Sequence, residues 1–244
     1  MCTLTYIPNN TGGFLLTSNR DESVLREPAF APAIYEHAKL WLMYPKDPQG
    51  GGTWLATSSN HFTLCLLNGA FGRHVHNPPY KHSRGLVVTQ FFEYNDVNQF
   101  VAEYSFTDIE PFTLVIIHQQ SKPTIYELRW DGKEVYIKTV DAEKPQIWSS
   151  AMLYEPAVIT EREKWFSEFL AVNPQPQLPD MLNFHHFGGK GDAATNVLMN
   201  RNNILRTISI TAIEVRETGT YMHYEDLISS TLSVCNLPVD TNQN

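Results

Sequence analysis

Cysteine is scarce in this chain, long apolar runs are missing, and basic residues are outnumbered; each lack removes a class of function. The three cysteines, Cys2, Cys65 and Cys235, are too few and too scattered for a disulfide framework and match no metal spacing. No apolar run approaches the roughly 18 residues of a membrane span. The N-terminus, MCTLTYIPNN, has neither a basic n-region nor an apolar h-region, so the chain reads as cytoplasmic. Against 26 Asp and Glu there are 18 Lys and Arg, a formal net charge of -8, and no basic stripe offsets it. Such a surface repels phosphate backbones and anionic lipid, which argues against nucleic acid as a partner. Internal repeats and low-complexity tracts are also missing.

What is present is a globular composition. With 42% hydrophobic and 12% aromatic residues, 244 residues bury a large core, and one domain spanning 1–244 is the expectation. Strand signals fall at Thr3–Ile7, Phe14–Ser18, Thr53–Thr57, Phe62–Leu67, Phe112–His118, Ile125–Trp130, Glu134–Val140, Val197–Met199, Leu205–Val215 and Thr220–Tyr224. Asn/Gly turns between them favour antiparallel pairing. Helices are expected over Arg84–Tyr104, capped by Ser83 and broken near Asn95, and over Pro156–Val172. The run Asn173–Pro179 reads as a Pro-rich spacer. The pattern is α+β, with sheets stacked between helices.

Cys2 is the residue with chemical prospects. Its small side chain permits removal of Met1, after which thiol nucleophile and α-amine base belong to one residue, with reference pKa values of about 8.5 and 7.7–8.0. The competing reading is a residue that merely starts a strand. A hairpin closed by Asn9-Asn10-Thr11-Gly12-Gly13 sets Cys2 opposite Asn19, Arg20 or Asp21. There Arg20 would lower the thiol pKa, and Asp21 would hold the ammonium or orient the amine. Asn68 ends the apolar strand Phe62–Leu67 and is placed to present an amide to a developing oxyanion. The loop Gly69–His82, rich in His, Pro and aromatics, reads as a wall or lid for substrate. His74-x-His76, without a carboxylate or Cys partner in sequence, is weak as a metal site, and so is His185-His186; neither metal nor cofactor is expected. Cys65, inside an apolar run, reads as a small buried hydrophobe.

Met1-Cys2, Asn19-Arg20-Asp21-Glu22, Gly51-Gly52-Thr53-Trp54-Leu55, Leu67-Asn68 and Ser83-Arg84-Gly85 together resemble the NRDE family, also called the transport and Golgi organisation protein family. Weaker similarity runs on through Trp148–Leu153 and Thr195-Asn196-Val197. More distantly, the Met-Cys start, the Arg/Asp segment and the Leu-Asn strand end are similar to the cholylglycine hydrolase and penicillin V acylase group. The resemblance implies a four-layer αββα sandwich of the N-terminal-nucleophile hydrolase type. It also implies Cys2 as nucleophile and base, Arg20 and Asp21 beside it, Asn68 in the oxyanion hole, and Asn19, Gly52, Trp54 and Ser150 around the substrate. Two positions depart from the related sequences: Ser149-Ser150 stands where Ser-Asn is usual, and Ala194 where an Arg often precedes Thr-Asn.

These readings converge on an amidohydrolase acting on a small acylated molecule. The alternative is a non-catalytic carrier of a lipid or haem-like ligand on the same fold, and a scaffold protein comes third. Because no propeptide precedes Cys2, a self-cleaving precursor is not expected.

Overall fold

A computed structural model describes residues 3–9, 11–94 and 96–237. Two seven-stranded sheets, antiparallel throughout the described residues, are stacked between two helical layers. The first sheet contains β1 (Thr3–Pro8), β2 (Phe14–Ser23), β10 (Gln146–Ser149), β11 (Asn200–Arg201), β12 (Leu205–Arg216), β13 (Gly219–Asp226) and β14 (Thr231–Leu237). Its order is β10-β1-β2-β12-β13-β14, with β11 paired to β12. The second runs in chain order through β3 (Phe30–His37), β4 (Leu40–Lys46), β5 (Leu55–Ser58), β6 (Phe62–Asn68), β7 (Phe112–His118), β8 (Thr124–Trp130) and β9 (Val135–Val140).

Alternation along the strands supplies three apolar layers. Between the sheets, Leu4, Tyr6, Phe14 and Leu16 meet Met43, Leu55, Cys65, Val115 and Ile117. Outside the second sheet lie α1 (Arg84–Gln90) and α2 (Val97–Glu103), with Val87, Val88, Phe91 and Phe100 packed on Leu64, Leu66, Leu114 and Ile116. Outside the first lie α3 (Pro156–Val172) and α4 (Leu178–Phe187), where Trp165, Phe166, Met181 and Phe184 cover Ile7, Leu15 and Ala212. This is the α+β sandwich that the sequence leads one to expect. No helix among the described residues is long and apolar enough to cross a membrane.

The sheets are bolted together by a buried polar contact as well as by apolar packing. Trp148 Nε1 on β10 donates to Glu127 Oε2 on β8 at 2.8 Å. Burial works to raise the Glu127 pKa, but Arg129, the Trp148 indole and Lys138 together hold the carboxyl below its usual value.

Several elements differ from the sequence reading. Residues 173–179 are not only a spacer, because Leu178 and Pro179 begin α4 behind a Gln177/Asp180 capping box. The expected strand at Val197–Met199 is replaced by the two-residue β11. The break expected within the helix over 84–104 is present, with a 3-10 turn at Phe91–Glu93 between α1 and α2, whose N-cap Asp96 accepts from the Gln99 amide at 2.6 Å. Asn95, where the break was expected, lies outside the described residues.

Candidate functional site

The hairpin β1–β2 fixes the frame of the site. Asn9 Oδ1 accepts from the amides of Thr11 and Gly13, which closes the turn, and the register then sets Pro8 opposite Phe14 and Thr3 opposite Asn19. Asn19, Arg20 and Asp21 are therefore consecutive residues at the end of β2 nearest Thr3. Cys2, with Met1, lies outside the described residues.

Strand alternation sends these three side chains to different surroundings. Arg20 faces the second sheet, where its guanidinium stacks over the Trp54 ring at 4.2 Å and its Nη2 stands 3.6 Å from Asp47 Oδ2. Only 4% exposed, Arg20 has its pKa lowered by burial, against which Asp47 and Glu22 act. Asp21 faces away from the cleft and is buried. Tyr154 donates to its Oδ2 at 2.7 Å and Thr207 to its Oδ1 at 2.5 Å. A register shift between Thr207 and Ser209, directly beside Arg20 and Asp21, brings that hydroxyl into line. Asn19 is fully buried: it donates to the carbonyls of Val197 and His185 and accepts from His185 Nδ1 at 2.6 Å. His185, held also by Thr5, has its pKa lowered to about 3, first by burial and then by Arg162 and His186.

Arg162 ties this framework together from α3. Completely buried, it donates to Thr3 Oγ1, Thr195 O and Asn196 O, and its guanidinium covers the Tyr154 ring at 3.6 Å. Thus Arg162 holds both the residue that follows Cys2 in the chain and the tyrosine that holds Asp21. Nothing in the sequence marks it out from other helical arginines.

Arg20, Trp54 and Asn68 line one open cleft of about 410 Å³. Its wall opposite β2 is made by the turn Asp47–Thr53 and the start of α1. These approach so closely that a Cβ on Gly52 would lie 2.2 Å from the Gly85 carbonyl carbon, so glycine is required there by contact. Thr53 N donates to Gly85 O at 3.1 Å, locking the two segments. Asn68 ends β6, and its carbonyl accepts from Ser150 Oγ at 2.8 Å and from the Met152 amide at 3.2 Å. Ser150 therefore sits behind Asn68 and fixes its backbone. Of the residues singled out from sequence, Arg20, Trp54 and Asn68 come together on the cleft, Gly52 shapes its wall, and Asn19, Asp21 and Ser150 support it from behind.

The cleft also contains groups that the sequence reading did not find. Arg26 donates to Asp47 Oδ2 at 2.5 Å and stands 3.6 Å from Glu22 across the turn that follows β2, an approach that the sequence does not announce. Glu110 closes the far side: its Oε1 meets His74 at 3.1 Å and His76 at 3.3 Å, and its Oε2 meets Arg84 at 3.0 Å. The histidine pair thus has a carboxylate partner, which a separation of more than thirty residues concealed. Arg84, read as a helix start, contributes its side chain to this wall as well. No group of three or more His, Cys, Asp or Glu among the described residues is arranged to hold a metal.

Comparison with known proteins follows the same lines. The sequence profile described as Transport and Golgi organisation 2 matches residues 1–223. No curated protein matches the chain. Among solved structures, a Caenorhabditis elegans N-acylethanolamine-hydrolyzing acid amidase ortholog is similar with TM-score 0.59 at 12% identity, covering 97% of this chain and 100% of that one. A penicillin V acylase from Agrobacterium tumefaciens gives 0.59 at 9% identity, over 97% and 86%. A variant conjugated bile acid hydrolase from Clostridium perfringens gives 0.61 at 9% identity, over 99% and 95%. At such identities the likeness establishes the N-terminal-nucleophile hydrolase fold and nothing finer.

Proposed function

The chain belongs to the Transport and Golgi organisation 2 family, and from that premise we propose that it is a cytoplasmic N-terminal-nucleophile amidohydrolase acting on a small acylated molecule. The observation that carries the reading is the gathering of Arg20, Trp54 and Asn68 on one cleft beside the strand end at which Thr3 pairs with Asn19. In this reading Met1 is removed and the α-amine of Cys2 takes the thiol proton. The thiolate attacks the amide carbonyl, Asn68 donates to the oxyanion, and the ammonium returns the proton as the amine leaves. Water then hydrolyses the thioester, releasing the acid and regenerating the thiol. Arg20 favours the thiolate and Asp21 the ammonium.

Two of the fold neighbours are an N-acylethanolamine-hydrolyzing amidase and a conjugated bile acid hydrolase, which supports the amide bond as the target class. A carrier of lipid or haem-like ligands is less well supported, since the cleft is walled by Arg, Glu, Asp and His side chains.

The test is brief labelling of the purified protein with limiting iodoacetamide, read by intact mass and peptide mapping. Burial pushes the Cys65 thiol up to about 12 and also raises that of the half-buried Cys235, which disfavours both thiolates, and the peptide map distinguishes them from Cys2. Loss of Met1 with preferential labelling of Cys2, and abolition of amide turnover by Cys2→Ala with the fold intact, is the expected result. Retained Met1 and an inert Cys2 would overturn it and leave the carrier.

A further inference from the structure

The turn at residues 150–154, between β10 and α3, touches both sheets at the proposed machinery. At one end, Ser150 Oγ and the Met152 amide hold the carbonyl of Asn68, where β6 ends in the second sheet. The contact leaves no gap, because a Cβ on Gly69 would lie 2.7 Å from Met152 N. At the other end, Tyr154 donates to Asp21 Oδ2 at 2.7 Å, near the end of β2 in the first sheet. The amides of Leu153 and Tyr154 both donate to Ser150 O, at 3.3 and 3.1 Å, so the turn is closed on itself. One short, hydrogen-bonded segment therefore spaces Asn68 from Asp21.

Tyr154 is also gripped by its ring. It is buried, and the guanidinium groups of Arg162 and Arg201 stand over it at 3.6 and 5.3 Å, within the roughly 6 Å reach of cation–π attraction. Both cations are anchored in turn: Arg162 on Thr3, Thr195 and Asn196, and Arg201 on Leu153 O at 3.0 Å and Ala194 O at 3.2 Å. Positive charge over a ring draws density from it and strengthens its O–H as a donor to a carboxylate. A phenylalanine would fill the same space under the same cations and give Asp21 nothing. We propose that Tyr154 is a positioning residue of the reaction, acting through Asp21: it fixes the carboxylate where the α-ammonium of Cys2 is to meet it, while Arg162 and Arg201 set the ring. This rests on the amidohydrolase reading for the role of Asp21, and adds that the turn 150–154 couples the amine side of the site to the oxyanion side.

The experiment follows the rate of Cys2 alkylation by iodoacetamide between about pH 5 and 10, by peptide mapping of the full-length protein, in the wild type and in Tyr154→Phe. An Asp21 carboxylate out of place stabilises the ammonium less, the amine loses its proton earlier, and the thiolate is left without its neighbouring cation. The alkylation midpoint should therefore rise by about half a pH unit or more. Asp21→Asn should raise it as well, and adding Tyr154→Phe to Asp21→Asn should raise it no further, since the tyrosine acts through that carboxylate. A purely structural tyrosine would lower the urea midpoint and leave the profile where it was. Should Tyr154→Phe prevent folding, Arg201→Met removes one cation from the ring and keeps the hydroxyl, and should move the profile the same way by less. A profile unmoved or lowered in a folded variant, or shifts that add in the double variant, overturns the proposal while the enzyme reading stands. Retained Met1 or an inert Cys2 in the wild type overturns both.

Discussion

Two residues carry consequences out of proportion to their size. At Gly52, a methyl group would enter the Gly85 backbone, so Gly52→Ala must push the Asp47–Thr53 turn away from α1. We expect a loss of about 1–3 kcal/mol in a urea titration, with larger effects on cleft binding than on far-UV circular dichroism. Arg162→Met would leave Thr195 O and Asn196 O without their donor and would free Thr3 and Tyr154. The expected cost is about 3 kcal/mol or more in the same titration. If Arg162 also positions the hairpin for chemistry, the pH profile of Cys2 alkylation should shift in the folded fraction; an unmoved profile would restrict the residue to stability.

At the scale of the element, the strands with apolar alternation and an Asn/Gly turn were legible, and α3 stands where its Pro and aromatics indicate. The β3–β4 hairpin was not, for physical reasons. Its turn residues, Ala38 and Lys39, adopt positive φ of 49° and 67° without the Gly or Asn that usually announces such a turn. Pro32 and Pro45 lie in its strands, and β3 is a partly exposed edge strand, where proline is tolerated but the apolar period is lost. α4 was hidden by Pro179, which reads as a breaker unless it falls in the first turn. The site was half legible. Arg20, Trp54 and Asn68 belong to strand ends and a Gly-rich turn close to them in sequence, whereas Glu110 and Arg162 reach the framework only through tertiary packing. A test at this scale is the Asp96 cap: Asp96→Ala should cost about 1 kcal/mol, seen as faster amide exchange confined to α2.

Across the whole molecule, stability should fall in acid for two separable reasons. His185 is held neutral, its pKa lowered to about 3, while the unfolded chain takes up a proton near 6.5. Its contribution is fully present above about pH 6.5 and is lost as pH falls from there toward 3, with a slope of roughly 1.4 kcal/mol per pH unit. Glu127 is also depressed, so its contribution is present above the ordinary carboxylate range and is lost below about pH 4. Denaturant midpoints between pH 8 and 5 should therefore decline in the wild type. In His185→Gln, if it folds, the decline over that interval should be shallower; an unaltered slope would remove His185 as its source.

The pairing of β2 with β12 has a consequence in the order of synthesis. Arg20 and Asp21 emerge from the ribosome well before their partners, since the strand that flanks them and the hydroxyl that holds Asp21 lie roughly 180 residues later. At ordinary elongation rates that interval is roughly 10–40 s. For that time the hairpin β1–β2 has an open, apolar edge where the centre of its sheet will be. The second sheet, whose strands pair in chain order, has no such wait and can close as it is made. The nascent chain thus carries a finished half beside an unfinished one, and the machinery of the cleft becomes whole only when one of the last strands arrives.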